Sequence, residues 1–364
     1  MRVLIAPDKI KGSLGARAAA ENIAAGMRAV LPEAEFILLP IADGGEGTAE
    51  LIRDALQGDS RTCEVHDANG AAVSATFAMC GAIAVMETSQ AIGLWRIPPA
   101  ARSPTRASSF GAGEMLRHAA ECGAREIIVG LGGSATNDGG FGLARALGFR
   151  FFGGDGKELA GAVPELLRLT RVEPPAGLVL PAIIAAVDVQ NPLLGERGAT
   201  RIFGTQKGAS PEEIELLEAA LTHLAEVSAR DLGIDCRNLD GAGAAGGLGF
   251  GLATFAGARL RPGFEVVAEF LGLEKAVAMS DFVITGEGRL DLQTLEGKAP
   301  AGVARMARKI GRKCYAIVGQ CEDAPELRQI FSGIAILGVE AEGDAMATAR
   351  LLREHAGTLA AELR

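Results

Sequence analysis

Seven carboxylates in this 364-residue chain, Asp8, Asp43, Glu46, Asp138, Asp188, Glu287 and Asp291, fall at the ends of short apolar runs or inside glycine-rich turns. Surface charge is usually carried instead by Lys and Glu along helices. A carboxylate flanked by glycines can join others on Mg²⁺, which takes oxygen ligands and holds phosphates. It can equally accept a proton from a hydroxyl. For any single one an Asx-turn is the commoner explanation; seven together point to a site. Lys11 and Arg289 stand in the same class of loop, where each can hold a carboxylate or phosphate or form a surface salt bridge.

The stretch Arg125–Gly140, REIIVGLGGSATNDGG, follows a short apolar run with glycines and small hydroxyl residues. Such a loop can curl closely around an anion, because glycine adopts backbone shapes closed to other residues and the amides stay uncovered. A plain turn between strand and helix is the competing reading, and four further loops of the same character weigh against it. Acids for metal and base, cations for charge and amide-rich loops for phosphate are what phosphoryl transfer needs, since that chemistry rests on positioning and charge neutralisation. Two familiar nucleotide signatures are absent. Gly241–Gly246 fits GxGxxG, but no strand precedes it and no acid follows at the required distance. No Gly-x4-Gly-Lys-Ser/Thr sequence occurs, although Lys11, Lys207 and Lys298 each neighbour a glycine.

A net charge of -9 and 4% aromatic residues argue against nucleic acid as partner, because a phosphate backbone needs a basic face and single strands need stacking rings. The six cysteines have no CxxC and no metal spacing with the four histidines, which suits thiols in a reducing cytosol. No apolar run reaches the length of a membrane span or signal peptide, so a cytoplasmic protein without membrane contact is expected. Homo-oligomerisation is left open.

The elements that must position these residues read as α/β. Strands are expected at Val3–Ala6 and Phe36–Leu39, with Ser13 capping the helix between them and a helix after ADGGEGT. From about Cys63 the rhythm changes to an alternating, antiparallel meander. The strand Ile127–Val129, the strand Ala182–Val187 ending at Asp188, and helices at about 211–231, 245–257 and 264–271 follow. Strand, loop and helix then alternate again from Phe282 to a C-terminal helix near Asp344. The simplest architecture has two domains: a parallel α/β domain built by both chain ends, residues 1–61 and 276–364, and an inserted mixed α/β domain, residues 62–275. Ligands in such sheets gather where strands end and helices begin.

Seven ordered motifs, APDKIKGSL, ADGGEGT, GLGGSATNDGG, DVQNPLLG, FGTQKGAS, GAGAAGGLG and TGEGRLD, spread over nearly the whole chain, resemble the bacterial glycerate kinase family of the GlxK and GarK type, glycerate 2-kinases. The resemblance implies transfer of the ATP γ-phosphoryl group to D-glycerate with Mg²⁺, commonly giving 2-phosphoglycerate. It also implies a flavodoxin-like (Rossmann-like) domain and an inserted one. The family's acid in DVDNPL falls on Asp188, expected to be the base, and the lysine of its PDSFKGS falls on Lys11. Lys9-Ile10 stands for the usual Ser-Phe, and Gln190 for the second acid of DVDNPL.

The expectation is therefore a glycerate kinase with Asp188 and Lys11 catalytic, and Asp8, Ser13, Arg289 and Asn191 binding substrate in an interdomain cleft. Gly132, Gly133, Ser134, Thr136, Asn137, Gly243, Gly246 and Gly247 would bind ATP. Asp43, Glu46 and Glu287 would hold Mg²⁺. The alternatives are a kinase of another small hydroxy acid, a 3-phosphoglycerate product, and a non-catalytic metabolite sensor on the same fold.

Overall fold

In the computed structural model, which describes residues 1–338 and 344–364 apart from the side chains of Gln293 and Glu296, the run RVLI at the start of the chain is an inner strand of a five-stranded sheet. Its strands are β1 (Arg2–Ile5), β2 (Glu35–Leu38), β3 (Phe282–Thr285), β4 (Lys313–Val318) and β5 (Gly333–Ile336), in the order β2-β1-β3-β4-β5. Every pairing is parallel. The apolar run FVIT of β3 is buried along its whole length, as a parallel strand covered on both faces should be.

Two helices, Ala16–Val30 and Ala345–Glu362, pack together over this sheet, with Ile23 and Met27 meeting Leu352 and Ala356 in one core. Gly26 lies so close to the Arg353 backbone that a side chain there would collide with it. The C-terminal helix begins as expected: Asp344 caps it by accepting from the Met346 amide at 2.8 Å. Ser13 does not cap the first helix. Hydrogen bonds from the Ser13 and Leu14 amides to the Ile10 carbonyl close a tight turn, so the helix starts later with Gly15 at its N-cap.

The chain forms two compact units, Met1–Asp43 with Phe264–Arg364, and Gly44–Gly263. It passes from the first to the second after Asp43, earlier than the change of rhythm near Cys63. The reason is that the helix Thr48–Ala55 packs on the strands Ala72–Cys80 and Ile83–Glu87 rather than on the β1 sheet. The return comes at Phe264, whose ring lies against Gly302 on the helix Ala299–Ile310.

The second unit is built on a mixed sheet of six strands. Asp59–His66, Ala72–Cys80 and Ile83–Glu87 form the antiparallel meander that alternation announced. Ile83–Glu87 then runs parallel to Glu126–Leu131, and this to Ala182–Val187 and Arg259–Pro262. The loops after three adjacent parallel strands therefore leave the same edge of the sheet.

Candidate functional site

The glycine loop occupies that edge. Its start is sewn to the segment after Ile83–Glu87: the Leu94 amide donates to the Gly133 carbonyl at 2.7 Å, and the Ala135 amide donates to the Ile92 carbonyl at 2.8 Å. Gly133, exposed and at φ 62, forms the tip. Past the tip the chain dives inward, and Ser134, Thr136, Asn137 and Asp138 are all buried.

The GAGAAGG segment lies against this buried half. The helix Ala244–Ala256 forms near the expected place, but its first turn is broken by Ala245, Gly246 and Gly247, all left-handed with φ of 54, 74 and 84. The break lets the Gly246 backbone rest on the Thr136 carbonyl, where any Cβ would collide, and lets the Gly139 amide donate to the Gly246 carbonyl at 3.1 Å. The Gly243 amide donates to the Asn191 carbonyl at 2.8 Å, which brings in the loop after Ala182–Val187. That loop begins with Asp188, exposed at the strand end. Gly132, Gly133, Ser134, Thr136, Asn137, Gly243, Gly246, Gly247, Asn191 and Asp188 thus belong to loops joined by backbone contacts within one unit.

Two charged residues are sealed beneath the loop. Asp138, 1% exposed, accepts from the Ser109 amide and hydroxyl, both at 2.8 Å, and from the Gly142 and Gly140 amides at 3.0 and 3.1 Å. Burial still raises its carboxyl above the usual range. Lys207, 2% exposed, donates from Nζ to the Thr136 carbonyl at 2.7 Å and to Ser134 Oγ at 3.3 Å. Burial brings its ammonium down to about 7, against the pull of Asp138. Asn137 Nδ2 donates to Thr200 Oγ1 at 2.9 Å.

The ADGGEGT loop crosses the same edge, with Gly44 beside Gly130 and Gly45 beside Gly132. The amides of Gly47 and Ala49 at the following helix start are already taken by Glu87 Oε1, at 3.0 and 2.9 Å. Glu46 lines a cavity of about 410 Å³ shared with Glu50, Arg53 and Glu87.

In the other unit a second set forms beyond the C-terminal ends of β1 and β3, the neighbours at which the strand order reverses. The Asp8 amide donates to the Gly286 carbonyl at 2.8 Å, and Gly288 lies against the Lys11 amide. Asp8, Lys11, Glu287 and the exposed Arg289 are thereby held in two adjoining loops. Burial lifts the Asp8 carboxyl to about 7, helped by Asp43 and opposed by the Lys9 amide and by the charges of Lys9 and Lys298. Glu287 is lifted by burial to about 8, opposed chiefly by Lys298 and by the Thr294 hydroxyl donating to its Oε1 at 2.9 Å. Lys298 Nζ donates to Asp291 Oδ1 at 3.3 Å. Ser13 Oγ is buried without a hydrogen-bond partner.

Among the described residues no group of three or more His, Cys, Asp and Glu side chains is arranged to hold a metal ion. Two neutral-leaning acids with a third carboxyl nearby are nevertheless a donor set that a cation would suit. Lys207, Lys298, Thr294 and Glu87 were not expected from the sequence as site residues. A lysine next to glycine, in TQKG and EGKA, is the trace that two of them left, the first inside the motif FGTQKGAS. No described helix is long and apolar enough to cross a membrane.

Residues 3–362 match the model of a family described as the glycerate kinase family. A "Glycerate kinase" of Halalkalibacterium halodurans is 44% identical over 324 residues, covering 87% of this chain and 85% of that one. A "Glycerate 2-kinase" of Escherichia coli is 42% identical over 329 residues, covering 89% and 86%. A crystal structure from Salmonella typhimurium LT2, assigned the name glycerate kinase 2, superposes with a TM-score of 0.88 at 41% identity, covering 100% of this chain and 98% of that one.

Proposed function

Because the chain belongs to the glycerate kinase family and is a kinase by that membership, we propose that it transfers the γ-phosphoryl group of ATP to D-glycerate and forms 2-phospho-D-glycerate. The observation that carries this reading is the loop Gly132–Asn137 seated on the kink at Gly246. Amide-rich turns of this kind make concavities for anions without a Walker lysine. In this reading Gly132, Gly133, Ser134, Thr136 and Asn137, with Gly243, Gly246 and Gly247, hold the nucleotide phosphates.

Asp188 accepts the proton of the attacking hydroxyl; its exposed place at a strand end leaves it within reach of a substrate. Lys11 supplies charge to the transferring group, and Arg289 pairs with the glycerate carboxylate through its fork. Asp8, Ser13 and Asn191 orient the hydroxyls. Asn191 commits Nδ2 to the Arg197 carbonyl at 2.7 Å, so it would offer Oδ1.

Asp43, Glu287 and Glu46 would hold Mg²⁺, and the raised carboxyls of Asp8 and Glu287 support acids drawn to a cation. When bound, that ion neutralises charge on the phosphates. The strand order β2-β1-β3-β4-β5 supports reading the first unit as flavodoxin-like. Thiols without disulfides fit work in the cytoplasm.

The test is a coupled ADP assay with MgATP over a panel of small hydroxy acids, followed by phosphorus NMR of the product. D-glycerate should be the best acceptor and 2-phosphoglycerate the product. Faster ADP release with another acid overturns the substrate, and a 3-phosphoglycerate signal overturns the position. Glycerate binding without ADP would mark a sensor.

A further inference from the structure

Lys207 is an expensive residue to keep where it is. An ammonium sealed from water loses its hydration, and only well-placed partners offset that cost. Its partners are two atoms of one loop: the Thr136 carbonyl at 2.7 Å and Ser134 Oγ at 3.3 Å. The Thr136 carbonyl is also the surface on which Gly246 rests. One oxygen therefore joins three segments, the glycine loop, the kinked helix start and the TQKG turn. Asp138, the anion whose field opposes the loss of the Lys207 proton, is itself fixed by four hydrogen bonds.

The hydrogen-bond chemistry at Ser134 has a direction. While Lys207 carries its proton, held by the field of Asp138, its ammonium only donates, so Ser134 Oγ is the acceptor of the bond from Lys207. The Ser134 hydroxyl proton must then point away from Lys207. We propose that Lys207 is a positioning residue that acts through Ser134: it holds the loop on Gly246 and turns the Ser134 hydroxyl into a donor toward the nucleotide phosphates. The inference rests on the reading of that loop as the nucleotide site. It gives Lys207 no contact with the transferring group, unlike the lysine of a P-loop, and it explains why a cation is spent on the inner side of the loop.

The test compares Ser134→Ala, Lys207→Met, Lys207→Arg and the Ser134→Ala/Lys207→Met double variant in the full-length protein, with KM for ATP, KM for D-glycerate, kcat and thermal unfolding measured on each. Lys207→Met should raise KM for ATP about tenfold while KM for glycerate stays near the parent value. Ser134→Ala should produce a similar rise, and the double variant should be no worse than Lys207→Met alone, because both remove one donor. Lys207→Arg, which keeps charge and donors, should recover part of the affinity. A Lys207→Met enzyme with parental KM for ATP, or a double variant whose losses multiply, overturns the proposal. So does a variant that loses thermal stability without a selective ATP effect. If Lys207→Met does not fold, a Ser134→Ala/Lys207→Arg double variant set against its two single variants carries the same comparison: additive losses overturn the proposal. Should Ser134→Ala itself leave KM for ATP unchanged, the nucleotide reading of the loop falls and the inference with it. A normal Ser134 effect with a silent Lys207 sinks the inference alone.

Discussion

Gly246 rests directly on the carbonyl of Thr136, in backbone contact across two loops separated by more than a hundred residues, and a Cβ at position 246 would overlap that oxygen. The left-handed φ of 74 at Gly246 adds backbone strain for any other residue. Both loops named as the phosphate site depend on this one approach.

Gly246→Ala should therefore cost at least about 2 kcal/mol, through collision as well as backbone strain. Gly177→Ala is the control: its φ is 72, but nothing lies within 4 Å, so only strain of about 1 kcal/mol is expected. Urea unfolding of both variants checks the difference. Equal losses would mean that the loop yields to the added methyl.

Asp188 is exposed at the end of its strand, so its amide variant should fold as the parent does. Asp188→Asn should lower kcat by about 10²–10⁴-fold if the carboxylate takes the hydroxyl proton. Circular dichroism and the coupled ADP assay read the two halves of this expectation. Near-parental turnover would remove Asp188 from the role of base.

Glu287 and Asp8 make stability depend on pH in a definite direction. Their folded carboxyls stand at about 8 and about 7, above the ordinary values of 4.5 and 3.8. In the folded protein each keeps a proton that the unfolded chain has already given up, so their favourable contribution is full below about pH 4. It declines as pH rises and is gone above about 8. Glu287→Gln cannot ionise and keeps an oxygen for the Thr294 hydroxyl. Relative to the parent it should gain about 3 kcal/mol on moving from about pH 5.5 to about pH 8.5, measured by urea unfolding with EDTA present. An unchanged difference between variant and parent across that range would contradict the buried, raised carboxyl.

No three acids among the described residues form a ready cage for a metal ion. Mg²⁺ commonly binds through one or two carboxylates together with substrate phosphates. Mg²⁺ alone should hence leave the unfolding temperature nearly unchanged, whereas ATP with Mg²⁺ should raise it by a few degrees and ATP with EDTA by less. A large shift from Mg²⁺ alone would instead mean a preformed site. Loss of that shift in Glu287→Gln but not in Glu46→Gln would assign its ligand.

Much of this protein was legible in the chain because the signals are local. Runs such as FVIT and AIIAAV must be buried strands, alternation in residues 72–80 must pair antiparallel, and glycine clusters must turn. Those rules placed Asp8, Glu287 and Asp188 beyond strand ends, and the seven motifs by themselves pointed to the family. Ser13 failed as a cap because a turn closed by the Ile10 carbonyl outcompeted it, a matter of neighbouring backbone bonds that residue type does not reveal.

What the tertiary structure alone decided is which groups are covered and by what. Thr136 meets Lys207 across 71 residues, and Glu87 reaches the amide of Gly47 across 40, so the ADGGEGT helix start is satisfied internally while the glycine loop is braced from within. The helix Thr48–Ala55 joined the second unit for the same reason, since its apolar face found its partners there. Periodicity and turn chemistry act between near neighbours and are written in residue order. Burial, the electrostatics it amplifies and the meeting of distant loops depend on the whole chain having closed around them.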